Sequence, residues 1–227
     1  MVPLFVVVVV VVMPALFYLG YRSRQKRVAA VVALAQQMGF TYTKGDTDRM
    51  VTTPFALFRM GEGRGIELVI SGRHNDLPLR LFDFWFYTES NDGQGHSNRD
   101  YHRFTCALLE LPANCPALQL SHENAMTRIG EHLGLHDVTF EFDDFNRRFR
   151  VKCDDQKFAF SLFDAPMMEW MLGADSFDRL ETYGNSVLLA SKRLDPAAWP
   201  ELVTWIDTFH SHVPPVLFTT YPPRSIA

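Results

Sequence analysis

The sequence predicts an α+β protein: an N-terminal transmembrane helix, then a domain of antiparallel β-sheets with packing helices. Three observations carry that reading. Residues 2–20 are 19 consecutive uncharged, mostly apolar positions, followed at once by Arg22, Arg24, Lys26 and Arg27. Runs of aromatic and β-branched residues recur between Phe40 and Lys192, punctuated by Asn, Asp and Gly. Helical periodicity opens the domain at 24–38 and closes it at 196–212.

The apolar run reads as an uncleaved anchor over 1–21. A signal peptide needs a charged start and small residues at its end, whereas this run ends in Leu16, Phe17, Tyr18, Leu19, Gly20 and Tyr21. As a helix, 19 residues rise by about 28 Å, close to the roughly 30 Å of a bilayer's hydrocarbon. Val6 to Val12 are poor helix formers in water, but lipid leaves the backbone no other way to satisfy its polar groups. All four cations follow the run, so the positive-inside rule places the N-terminus outside and the rest in the cytoplasm, at the inner membrane. Arg22, Arg24, Lys26 and Arg27 are expected to set this topology, and they are placed to meet anionic headgroups.

The next segment, 22–39, reads as a juxtamembrane amphipathic helix continuing from the anchor. Val28, Val31, Val32, Leu34, Ala35 and Met38 share its apolar face, and Gly39 caps it. Phe40–Thr43 is a short strand, and 47–60 stays ambiguous between helix and strand. Ile66–Ser71 and Leu79–Thr88 are strands joined at Asn75-Asp76. In LRLFDFWFYT, Leu79, Leu81, Asp83, Trp85 and Tyr87 share one face, while Arg80, Phe82, Phe84 and Phe86 share the other. Both faces are apolar, which predicts a central strand. A polar loop over 90–100 leads into a returning strand, 101–111. Pro112 and Pro116 are expected to break it, with an edge strand at 118–120.

Glu123–Leu133 reads as a helix. Val138–Phe142 and Arg147–Lys152 read as a hairpin turning at 143–146, and 155–163 and 166–172 as helices. A third hairpin is expected from 177–183 and 186–192 through Gly184-Asn185. In the last helix, Leu202, Trp205, Ile206 and Phe209 form one stripe. Pro214, Pro215, Pro222 and Pro223 predict an extended or disordered tail over 214–227. Helix–Gly–strand junctions at Gly39 and Gly134 are what an internal duplication of the 40–213 domain, into halves 40–121 and 122–213, would leave.

Without residues 1–27, 18 Lys and Arg stand against 26 Asp and Glu, so nucleic acid is a poor partner. Chemistry-bearing motifs are missing. GEGRG at 61–65 lacks dinucleotide spacing, and there is no phosphate loop or nucleophile elbow. His210 and His212 diverge on a helix, His96 sits in a polar loop, and Asp143-Asp144 and Asp154-Asp155 are adjacent, not facing. Cys106, Cys115 and Cys153 show no metal or disulfide spacing and read as reduced, buried thiols. No catalytic, cofactor-binding or metal-ligating residue is expected.

The segment Phe142–Leu172 carries F-N-x-x-F-x-V, then an Asp, an Ala-containing helix and P-x-M-x-x-x-L. Phe145, Asn146, Phe149, Val151, Asp155, Ala159, Pro166, Met168 and Leu172 match it. In this block the chain resembles a family of uncharacterised bacterial single-pass membrane proteins with a domain of unknown function. The order of anchor, basic cluster, helix and Gly39-Phe40-x-Tyr42 is also similar to the mycobacterial trehalose monomycolate transport factor A, a cytoplasmic-domain partner of an envelope lipid transporter. Neither resemblance brings catalytic residues. Physically the block reads as structural: Phe145 and Phe149 as apolar anchors, Asn146 in a left-handed turn, Asp154 or Asp155 as a helix cap. Met167, Met168, Trp170 and Met171 offer either a soft binding face or core, and core is the first expectation because methionine commonly fills core gaps.

The expected function is a non-catalytic, membrane-anchored interaction module acting on an envelope-associated protein. A lipid-binding or lipid-sensing domain is the alternative, and an enzyme of unrecognised type the third.

Overall fold

A helix of 26 residues, α1 (Met13–Met38), lies across one face of a seven-stranded antiparallel sheet. The structure is a computed structural model and describes residues 13–91, 97–122, 134–174 and 177–223. Residues 1–12 of the expected anchor and the helix expected at 123–133 lie outside them. Among the described residues no helix is long and apolar enough to cross a membrane, so the expected transmembrane helix finds no support there.

The strands are β1 (Thr41–Gly45), β2 (Gly63–His74), β3 (Leu77–Asn91), β4 (Ser97–His122), β5 (His136–Val138), β6 (Phe149–Cys153) and β7 (Arg179–Lys192). Gly39, at φ 68°, ends α1 and turns the chain into β1, as expected. β1, β2, β3 and β4 pair in sequence order. The β2–β3 turn falls at Asn75-Asp76, both at positive φ, the conformation a two-residue hairpin needs. β4 is long enough to serve three partners. Residues 97–109 pair with β3, Leu118–His122 pair with β6, and β7 pairs from Phe104 to Ser121. β5 completes the sheet on β6.

Both faces of β3 are covered, which is why it is central. Leu79 and Leu81 join the larger core with Val31, Leu34 and Ala35 of α1. Phe82, Phe84 and Phe86 join a second core, roofed by Phe55, Leu57 and Phe58. The ambiguous 47–60 segment is therefore the cover of that face, carrying two 3-10 turns, Met50–Thr52 and Leu57–Arg59. Its backbone is fixed by buried Glu181, which accepts from the amides of Ala56 at 2.5 Å and Leu57 at 3.0 Å and pairs with Arg179 at 3.0 Å.

Four expectations are corrected. β4 runs through Pro112 and Pro116, because both fall where its register with β7 shifts and no ladder bond needs their N–H. For the same reason Gly184-Asn185 is no hairpin turn: Gly184 faces Cys115 in that irregular stretch of one continuous β7. Residues 143–148 form a helix, α2 (Asp143–Arg148), between two strands that still pair. Asn146 is helical there, and its amide both donates to the Phe140 carbonyl and accepts from the Phe140 N–H. The tail after Pro214 folds into α6 (Pro215–Thr220), since proline is tolerated in a helix's first turn.

The other helices fall where periodicity puts them: α3 (Gln156–Leu162), α4 (Ala165–Gly173) and α5 (Trp199–His212). Asp155 and Asp164 cap α3 and α4 through the amides of Phe158 and Met167. The described parts of the two halves follow different plans. The first is a meander, while in the second β5, β6 and β7 are separated by helices.

Candidate functional site

The site forms where α1 crosses the upper part of β2, β3 and β4. Along α1, Arg24, Arg27 and Val31 recur at three and four residues and face the sheet. Across from them, strand register sets Asp83 opposite Thr105 and Trp85 opposite Arg103 on β3 and β4, and Glu67 opposite Asp83 on β2. The face that is apolar at Leu79 and Leu81 thus turns polar and aromatic from Asp83 onward.

Asp83 is the centre of this arrangement. Its side chain is 3% exposed and that of Arg27 is 14%. Arg27 Nε donates to Oδ2 and Nη2 donates to Oδ1, each at 2.8 Å, a bidentate charge-assisted pair. The Thr105 hydroxyl donates to Oδ1 at 3.1 Å, and Arg193 Nε reaches Oδ2 at 3.4 Å. The Arg27 guanidinium also lies 6.0 Å from the Trp199 ring centre.

Above this pair opens a cleft of ≈ 550 Å³, bounded by Arg24, Arg27, Glu67, Trp85, Tyr101, Arg103 and Arg193, with Gly20 and Ser23 at its α1 rim. Glu67 joins its two sides, 3.2 Å from Arg24 and 3.6 Å from Arg103. Trp85 lies against Tyr101, with ring centres 6.0 Å apart. GEGRG acquires a structural reason here. A Cβ on Gly65 would meet the Trp85 indole at 2.9 Å, and one on Gly63 would meet the Tyr87 ring at 2.2 Å. The glycines leave room for the aromatic wall. Burial pulls the Arg193 pKa below its usual value, and Arg27 and Arg103 push the same way against the opposing pull of Asp83. Guanidinium donors and aromatic faces line the cleft, so the arrangement is suited to holding an anion.

The residues singled out in the sequence divide into two groups. Of the four cations, Arg24 and Arg27 line the cleft. Arg27 is corrected from a headgroup contact to an internal clamp, because it is the position on α1 that faces a buried carboxylate. Arg22 and Lys26 point to solvent, with Arg22 5.8 Å from the Tyr18 ring centre. The 142–172 block lies elsewhere. Phe145, Phe149 and Val151 are buried in the larger core, Asp155 caps α3, Pro166 sits in the first turn of α4, and Met168 packs inward. None of these lines the cleft.

Among the described residues, no group of three or more His, Cys, Asp or Glu is placed to hold a metal ion. His212 instead stacks on Trp170, with ring centres 4.9 Å apart. All three thiols are buried and free. Sequence reasoning missed Asp83, Arg103 and Arg193. The available signal was Asp83 itself, one carboxylate inside an apolar central strand, which demands a buried cation.

Fold and site together define an α+β protein with one branched antiparallel sheet, a long helix clamped to it and an arginine-lined cleft at the join. No protein-family model matches the chain, and no curated protein matches it. Among solved structures, the crystal structure of the mycobacterial trehalose monomycolate transport factor A, TtfA, shares the fold. Its TM-score is 0.63 at 13% identity, over 88% of this chain and 98% of that one. The similarity of layout noted in the sequence thus extends to the fold, while the block at 142–172 brings no family with it.

Proposed function

We propose that the protein is a non-catalytic, membrane-tethered interaction module whose domain docks on an envelope-associated protein at the inner membrane, on its cytoplasmic side. One observation carries this reading. α1 is unbroken from Met13 to Met38, with Leu16, Phe17, Leu19 and Tyr21 exposed near one end and Arg27, Val31, Leu34 and Ala35 locked to the domain at the other. A helix of that length measures about 39 Å and transmits orientation as a rigid body. If residues 2–20 enter a bilayer, the domain is held at one height and angle, which raises its effective concentration at a membrane neighbour that matches. The fold shared with a transport factor supports the same reading.

The test is site-specific photo-crosslinking in intact membranes from exposed Phe160 and Tyr183, compared with a variant carrying two glycines inserted between Leu19 and Gly20. The insertion precedes the docked part of α1 and leaves the core intact. The expected result is a membrane protein cross-linked at defined positions, with loss of that pattern in the variant. An unchanged pattern overturns docking by fixed geometry, and labelling of lipid alone favours the lipid-binding alternative, for which the arginine-lined cleft speaks. A reporter at the C-terminus is expected to remain cytoplasmic.

A further inference from the structure

The cleft beside α1 holds more positive charge than the protein itself neutralises. Four guanidinium groups, of Arg24, Arg27, Arg103 and Arg193, face two carboxylates, Glu67 and Asp83. Arg27 spends its fork on Asp83, and Arg24 donates to Glu67. The other two are differently placed. Arg193 makes a single long side-chain contact, Nε to Asp83 at 3.4 Å, and among the described residues its two terminal nitrogens have no hydrogen-bond partner. Arg103 lies 3.6 Å from Glu67, beyond a direct hydrogen bond, and 5.8 Å from the Tyr101 ring centre. The two residues are tied together by backbone, the Arg193 amide donating to the Arg103 carbonyl at 3.2 Å. Both guanidinium groups thus line one cavity that is large enough for a small oxyanion.

We propose that this cleft is a phosphate-binding site, with Arg193 and Arg103 as the paired donors and Trp85 and Tyr101 as the wall. Guanidinium forks match the oxygen spacing of a phosphate mono- or diester, and bound anion would relieve the repulsion among neighbouring cations. Arg27 and Asp83 position the site by fixing α1 on the sheet. The α1 rim, Gly20 and Ser23, lies at the end of the 2–20 run. On the proposed tethered reading, the cleft opens at the level of phospholipid headgroups, and the same chemistry would also take a free phosphate ester.

The experiment uses the full chain in dodecyl maltoside micelles, which carry no phosphate, titrated with glycerol phosphate and with inorganic phosphate at constant ionic strength, following tryptophan fluorescence. A saturable change that disappears in Trp85→Phe and shifts about tenfold or more to weaker binding in Arg193→Gln and Arg103→Gln is expected. Two variants guard against a folding defect in either, checked by thermal unfolding. A weaker apparent affinity for glycerol phosphate in phosphatidylcholine nanodiscs, whose zwitterionic headgroups carry the phosphodiester, identifies the headgroup as the natural source. An unchanged affinity there identifies the free ester. No saturable change, or wild-type affinity in whichever of the arginine variants remain folded, overturns the site. If the chain fails to co-elute with the discs, the tethered reading fails by itself, and the phosphate titration is then read on the lipid-free chain.

Discussion

Asp83 and Arg27 form a bidentate pair, with both contacts at 2.8 Å, that ties α1 to the centre of the sheet across 56 residues of chain. Such a pair is asymmetric in its consequences. Removing one partner leaves a buried charge uncompensated, which costs about 3–5 kcal/mol, whereas an apolar replacement of both is close to neutral. Asp83→Asn and Arg27→Met are each expected to lower unfolding free energy by about that amount in urea titration. The double variant Arg27→Met with Asp83→Leu is expected to recover most of it. Equal loss in single and double variants would show that the pair acts through packing alone.

Phe145 and Phe149 are buried and touch, with ring centres 5.1 Å apart. Phe145→Ala and Phe149→Ala are each expected to destabilise the fold by about 3–5 kcal/mol. Wild-type thermal stability in both would show that the 142–172 block is not the core element described.

Tyr221 closes the C-terminal helix onto the domain. Its Oη donates to Asp155 Oδ2 at 2.9 Å, while Oδ1 of the same carboxylate caps α3. Leu217, one turn earlier, is fully buried. Tyr221→Phe is expected to cost about 1.5–3 kcal/mol, as for a hydrogen bond to a charged group. A stop after Val213 is expected to cost more, because it also uncovers the Leu217 site. Both are measured by chemical denaturation.

Burial pushes the Cys115 and Cys153 thiols from 9.0 up to about 12. The folded state therefore binds a proton that the unfolded state gives up. No stability is lost below pH 9, and stability falls as pH rises from 9 toward 12. The same burial makes all three thiols unreactive toward a maleimide at pH 8 until denaturant is added. Rapid labelling of the folded chain would contradict the burial.

Much of the fold was legible because its signals are local. The alternation in 79–88 marked β3 as central, Gly39 marked the end of α1, and the stripe of Leu202, Trp205, Ile206 and Phe209 marked α5. Local signals misled wherever a distant partner changed their meaning. Pro112, Pro116 and Gly184 looked like breaks, yet they accommodate one shared irregularity in the β4–β7 pair. Asn146 looked like a turn residue, but its amide substitutes for a backbone partner of Phe140.

By itself, then, the sequence determined the α+β class, the amphipathic first helix, the two-faced central strand and the inward packing of Phe145 and Phe149. Those follow from periodicities of two and 3.6 residues, which a single strand or helix expresses alone. Only the tertiary structure decided that Arg27 turns inward to Asp83 and that Arg103 and Arg193 converge on one cleft. Charges separated by 56 or 110 residues carry no mark of their partner, because their pairing is set by strand register and by the angle at which α1 crosses the sheet.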